Sequence, residues 1–309
     1  MKASIKASDN PIVLFAAVLA RIMAGAALLA CSLAQAAITV VDDTGARVTL
    51  QKPAQRVISM APHITELLFA AGGGDRVVGV MNFSDFPEAA RRIPLVGSNS
   101  QLDMERVIAL KPDMLVVWQS GNTARQLEQL RSLGIPIFRS EPQKLEQVAD
   151  TLLRLGQLLG TGPIAHAAAS EFRTRIGALE ARYSQRPTVR VFYQIWDKPL
   201  YTLNGQQIVS DAIRLCGGQN VFGALRAKAP EVSVEAVMQA DPEAIFGGDQ
   251  RDPADVGLGI WKPYKGMLAV KRGNLFTLGG ELLTRAGPRM VLGAADMCEK
   301  LELARKRRR

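Results

Sequence analysis

The 309-residue sequence predicts an α/β protein: two lobes with parallel-sheet cores, bridged by one long helix. Three observations carry that expectation. Short apolar runs alternate with helical patterns from residue 56 to 140, and the alternation resumes at residue 188. Between these stretches lies a helical region too long and too central for an ordinary crossover. One unit also recurs about 130 residues apart: "MERVIALKPDMLVV" begins at Met104 and "VEAVMQADPEAIFGG" at Val234. Each places a Glu (Glu105, Glu235) seven residues before a Pro (Pro112, Pro242), followed by an acid and an apolar run.

Taken in order, residues 1–36 read as a secretory signal. Lys2, Lys6 and Arg21 are basic, Asp9 is the only acid before Asp42, residues 22–33 are apolar, and Ala34-Gln35-Ala36 is an A-x-A cleavage pattern. Two alternatives stay open. Residues 11–30 carry only Arg21 as a charge, as a membrane anchor would. Leu28-Leu29-Ala30-Cys31 resembles a lipobox, which would anchor the protein through Cys31. Beyond residue 37 no apolar run is long enough to span a bilayer.

"ITVVDDTGARVTL" reads as a hairpin about an Asp-Thr-Gly turn. "RVISM", "RVVGV", "DMLVVW" and "IPIFRS" are strands. The helices between them are "APHITELLFAAGGG", "LDMERVIAL" with Asp103 as N-cap, and "NTARQLEQLRSLG" closed by Gly134. Two helical stretches follow, "EPQKLEQVADTLLRLGQLLG" and "GPIAHAAASEFRTRIGALEARYSQ". The second has Pro163 in its first turn and would extend about 33 Å. The second lobe is then "TVRVFYQIW" (strand), "SDAIRLCGG" and "SVEAVMQA" (helices), "EAIFGG" and "NLFTLGG" (strands), and the closing helix "PRMVLGAADMCEKLELARK".

An apolar content of 48% is ample for two packed cores. The net charge of +9 is concentrated at the ends. The signal carries +2 and the residues from Arg305 to Arg309 carry +5, which leaves a nearly balanced body and no basic face for nucleic acid. The basic tail reads as a solvated end, the alternative being weak attraction to anionic lipid. After cleavage Cys216 and Cys298 remain, an even pair in an oxidising compartment. A disulfide is expected, the alternative being two buried free thiols.

The chain has no G-x-S-x-G elbow, phosphate loop, G-x-G-x-x-G turn or Cys-x-x-Cys pair. Its two histidines do not make a metal site, which usually needs three or four ligands. His63 follows the first strand at a cleft position, and His166 is placed on a solvent face. No catalytic residue, metal or cofactor is therefore assigned. Ligands of open α/β sheets bind beyond the carboxyl ends of the strands. Phe83, Phe86 and Trp118 lie at such ends in one lobe and Trp196 in the other. Together they suit a large, partly flat, apolar ligand. Trp261 and Tyr264 either rim that cleft or dock a loop. The helix dipole accounts for one acid in a first turn, but not for Glu105 and Glu235 at matched places. Two such carboxylates suit paired arginines on a two-fold symmetric partner.

From about residue 56 to 303 the chain resembles the periplasmic substrate-binding proteins of ABC importers for cobalamin, heme and ferric siderophores, the cobalamin branch most closely. The resemblance rests on "RVISMAPHITELLFAAGG", "FSDFPEAA", "MERVIALKPDMLVVW", "GNTARQLEQLRSLGI", "RVFYQIW", "RLCGGQNVF", "PEVSVEAVMQADPEAI" and "RAGPRMVLGAADMC", all collinear. It implies a class III binding-protein fold with lobes at 37–160 and 187–304, a rigid bridging helix at 161–186 and a basic tail at 305–309. It also implies a cleft for a corrinoid, a periplasmic location, and a monomer that docks on a permease dimer in the inner membrane through Glu105 and Glu235. The family disulfide falls on Cys216 and Cys298, and pocket positions fall on Phe83, Trp118 and Arg285. Asn99, Ile195 and Ala229 stand where the cobalamin branch has further aromatics; Tyr193 and Trp196, beside Ile195, are expected to compensate. Two alternatives follow: heme or a ferric siderophore in the same cleft, with Arg285 and Lys262 as its basic residues, or a metal-dependent enzyme, which the missing ligand clusters oppose.

Overall fold

The computed structural model describes residues 37–98, 101–248, 257–279 and 281–308. The signal segment with Cys31, and Asn99, lie outside the described residues. The expected hairpin pairs β1 (Ile38–Val41) antiparallel with β2 (Arg47–Leu50). The Asp42 carboxylate closes its turn by accepting from the N–H groups of Thr44 and Ala46 at 2.9 and 3.0 Å. Gly45, at φ 85°, supplies the left-handed residue there.

Five parallel strands build the first lobe: β3 (Val57–Ser59), β4 (Val77–Met81), β5 (Leu95–Gly97), β6 (Met114–Trp118) and β7 (Ile137–Ser140), in the order β5-β4-β3-β6-β7. Helices α1 (Pro62–Ala70), α2 (Met104–Ala109) and α3 (Ala124–Arg131) connect them. The central strands are covered on both faces, so β3 and most of β6 are wholly buried and read as continuous apolar runs. Helices α4 (Leu145–Leu159) and α5 (Gly162–Tyr183) then form a close hairpin. A Cβ built on Gly156 would meet that of Ala165 at 2.2 Å, so only glycine permits this approach. α5 packs on α1 of the first lobe and on α6 (Ile208–Leu215) and the closing helix of the second, as a bridge must.

The second lobe has four parallel strands, β8 (Val189–Gln194), β11 (Gly218–Asn220), β12 (Ala244–Gly248) and β13 (Leu275–Leu278), in the order β11-β8-β12-β13. A small hairpin, β9 (Trp196–Asp197) with β10 (Leu200–Tyr201), projects beyond β8. Helices α7 (Val234–Ala240), α8 (Leu268–Lys271) and α9 (Met290–Lys306) complete it, and Cys216 is disulfide-bonded to Cys298 on α9, 82 residues later.

The sequence repeat is a structural one. Asp103 and Ser233 cap α2 and α7 by accepting from Arg106 N and Ala236 N at 2.9 and 3.2 Å. Val107 and Val237 are the fully buried residues of the two helices. Lys111 and Asp241, each just before the proline, both adopt left-handed backbone, at φ 46° and 38°. β6 then pairs with β3 as β12 pairs with β8.

One apolar core runs without a break through both lobes, from Val57 and Leu67 through Leu155 and Phe172 to Val191, Met290 and Leu301. The basic tail corrects an expectation, because its described part is not a solvated end. Arg305 is only 8% exposed, and its guanidinium donates to the carbonyls of Pro187, Cys216 and Gly217 at 2.8, 2.7 and 3.0 Å. Arg307 donates to Gly273 O, and Arg308 to Thr188 O and, bidentately, to Glu243 at 2.7 and 2.8 Å. These partners immediately precede, or nearly precede, β8, β11, β12 and β13. The arginines therefore staple the amino edge of the second sheet, at the pole opposite the carboxyl ends of its strands.

Candidate ligand cleft and docking faces

The carboxyl ends of the strands carry the side chains expected to face a ligand. Trp118 ends β6, and its ring lies so close over Gly121 that a Cβ there would come within 1.8 Å of it. His63 meets the same indole edge-on, with ring centroids 5.2 Å apart. Asn122 locks the turn: its Oδ1 accepts from Trp118 N at 2.8 Å and its Nδ2 donates to Met60 O at 3.1 Å. Trp118 is thereby held in one pose, half-buried. His63 is buried, and burial, with the Arg285 charge second, pushes its pKa down to about 3. Packed edge-on against Trp118 and 3% exposed, the ring presents almost no surface to a ligand.

Phe83 and Phe86 follow β4 and are both exposed. Phe83 holds left-handed backbone at φ 63°, unusual for a bulky residue. The hydrogen bonds Asn82 N to Gly97 O (3.0 Å) and Asp85 N to Phe83 O (3.0 Å) keep the loop in this shape. The Phe86 ring lies under the Arg289 guanidinium, 4.1 Å from its carbon to the ring centroid. A pocket of about 290 Å³ opens beside it, lined by Phe69, Phe86, Pro87 and Pro288 with Glu66 and Arg289.

Arg285 joins the lobes here. It is buried, and it pairs with Glu66 (3.5 Å), Asp85 (2.6 Å) and Glu281. Arg289 adds a bidentate pair to Glu66 at 3.0 and 2.6 Å. Burial works to raise the Asp85 pKa, but the Arg285 hydrogen bond and charge outweigh it and hold the carboxyl below the usual range. Arg285, expected as a ligand contact, is thus first a tie between α1, the Phe86 loop and the second lobe. Glu66, Asp85 and Arg289 escaped the sequence reading. No helical spacing announces them, because residues 285–289 form bends and turns ahead of α9, and Glu66 and Asp85 meet the arginines only through space.

From the second lobe, Trp196 presents an exposed indole whose Nε1 donates to Lys198 O at 3.0 Å. It lies on β9, not at the end of β8, which stops at Gln194. Two neighbours depart from the cleft. Tyr193, expected to compensate there, is buried in the core, where burial pushes its phenol pKa up; β8 is covered on both faces from Val191 to Gln194. Trp261 docks a loop: it is fully buried, and its Nε1 donates to Gln194 Oε1 at 2.7 Å. Among the described residues no cluster of three or more His, Cys, Asp or Glu is placed to hold a metal ion.

Glu105 and Glu235 are both exposed in the first turns of α2 and α7. The structure brings neither into contact with the cleft aromatics. A groove of about 630 Å³ flanks Glu105, lined by Leu95, Leu102 and Met104 among others.

Comparison with known proteins gives four further findings. The family described as "Periplasmic binding protein" matches residues 57–282. A vitamin B12-binding protein of Vibrio vulnificus (strain CMCP6) is 37% identical over 248 residues, which is 80% of this chain and 90% of that protein. Among solved structures, the periplasmic vitamin B12 binding protein BtuF of Vibrio cholerae matches with a TM-score of 0.76 at 33% identity, over 82% of this chain and 99% of that one. A periplasmic heme binding protein from Pseudomonas aeruginosa matches with a TM-score of 0.67 at 27% identity, over 79% and 91%.

Proposed function

Because the chain belongs to the periplasmic binding protein family, we propose that it is an extracytoplasmic carrier: it captures cobalamin or a related corrinoid between its lobes and delivers it to an ABC permease dimer in the inner membrane. The observation that carries the ligand class is the pair of open aromatic faces, one following β4 and one on β9. Phe83 is 60% exposed on one lobe and Trp196 58% on the other. Rings of this kind can each bury about 150–250 Å² of surface against a broad, partly flat ligand. The relatives named for vitamin B12 favour a corrinoid as that ligand. No cofactor or catalysis is part of this reading. Phe83, Phe86, Trp118 and Trp196 form the contact set, with Trp118 held by Gly121, Asn122 and His63. The protein works as a periplasmic monomer freed by cleavage after Ala36, the alternative being a lipid anchor at Cys31. Glu105 and Glu235 meet arginines of the permease.

Calorimetry with cyanocobalamin and cobinamide tests the ligand. Stoichiometric binding of either is expected, and no heat from both would overturn the reading. The heme-binding neighbour supports a second reading. Heme iron is commonly held by a His or a Tyr, and of the cleft candidates of those two types His63 and Tyr193 are both buried. A Soret band in the purified protein would support heme instead.

A further inference from the structure

The repeat carries more than its two glutamates. On α2, Ile108 stands three residues after Glu105, and on α7, Met238 stands three residues after Glu235. That spacing puts each apolar side chain on the same exposed face as its Glu. Val107 and Val237 point inward and are fully buried. Ile108 is 56% exposed and Met238 42%. Single exposed apolar residues need no explanation. Two of them at equivalent positions of a structural repeat, each beside the same acid, are a matched surface feature. The burial pattern around them matches as well, position by position from Asp103 to Leu110 and from Ser233 to Ala240 except at Arg106 and Ala236. Glu235 is held ionised by a backbone N–H and the Ser233 hydroxyl.

We propose that Ile108 and Met238 are the apolar half of a two-point docking surface. Each enters, with its glutamate, a socket on one subunit of a two-fold symmetric membrane partner, and each socket combines an apolar lining with a basic side chain. The occupant follows from two features together: the carboxylates require positive charge, and the repetition of the whole Glu–apolar pair requires the same socket twice. The groove beside Glu105, with Leu95, Leu102 and Met104, extends the apolar contact on the first lobe. In such an interface charge steers approach and sets register, while the desolvated side chains at the centre slow dissociation.

The inference rests on the carrier reading, and the test separates the two. The double variant Ile108→Ser/Met238→Ser is compared with Glu105→Ala/Glu235→Ala and the unaltered protein. The readouts are binding to the ABC permease in nanodiscs at low and high salt, corrinoid calorimetry, and the melting temperature. The serine variant is expected to keep its melting temperature and corrinoid affinity, to bind the permease about 30-fold more weakly at both salt concentrations, and to lose affinity through faster dissociation. The alanine variant should lose most at low salt, through slower association. A serine variant that binds like the unaltered protein, while the alanine variant does not, overturns the apolar contact and leaves the carrier reading in place. Failure of the unaltered protein to bind the permease sinks both. A dimer of the unaltered protein in light scattering that the serine variant abolishes would assign the surface to a second copy of this chain, and so overturn the proposal.

Discussion

At the scale of single residues, the aromatics that the sequence offers for the cleft divide by what lies behind them. Trp118 stands over Gly121, which has no side chain to displace it, while Tyr193 and Trp261 are drawn into the core. Strand position is legible in sequence, but a strand buried on both faces shows no alternation to say which way a ring turns. The glycine under Trp118 was equally invisible, because its role depends on a contact through space. His63 gives a test by pH. Its folded pKa of about 3 lies below the ordinary value of 6.5, so the unfolded chain takes up a proton that the folded protein refuses. Stability is then full above pH 6.5 and is lost as pH falls toward 3. The loss should amount to about 1.5 kcal/mol between pH 6.5 and 5. Urea unfolding at these two pH values checks it: His63→Gln should remove most of the difference.

At the scale of elements, the repeat was legible because the seven-residue interval from Glu to Pro is fixed by one short helix and its exit. The exit conformation was not legible. Lys111 and Asp241 both take left-handed backbone, which favours Gly or Asn, and neither residue announces it. The two are not equivalent in partners, since Asp241 Oδ1 accepts from Leu268 N at 2.8 Å. Lys111→Gly is therefore expected to raise unfolding free energy by about 1 kcal/mol, through relief of the left-handed strain. Asp241→Gly should gain nothing, because it also loses that bond. Thermal melts of the two variants measure this. Among the short elements, β5, β10, β11 and α8 went unread and β9 was run into β8 for a different reason: at two to four residues they hold no measurable periodicity of their own.

At the scale of the whole molecule, the lobes are joined by more than a helix. The apolar core is continuous, and ion pairs cross between them at Glu66 and Asp85 with Arg285 and Arg289, and at Glu141 with Lys228 (2.7 Å). A core continuous across both lobes is expected to restrict hinge motion. The tail was misread because charge alone says nothing about carbonyls gathered from three distant segments and a carboxylate from a fourth. Arg305→Ala should lower unfolding free energy by about 3 kcal/mol, since it removes a buried guanidinium from three carbonyls and Glu302. Lys306→Ala, at an exposed neighbour, should leave it unchanged; chemical denaturation distinguishes them. The staple also sets an order in time. Arg305, Arg307 and Arg308 are synthesised after every strand they hold, whereas the first lobe closes with residues made more than a hundred positions earlier. A chain that emerges amino end first into the periplasm, as the proposed function has it, can thus pack the strands of its first lobe while the second still waits for its clasp, and a product cut short before Arg305 would leave one end of that second sheet open to proteases.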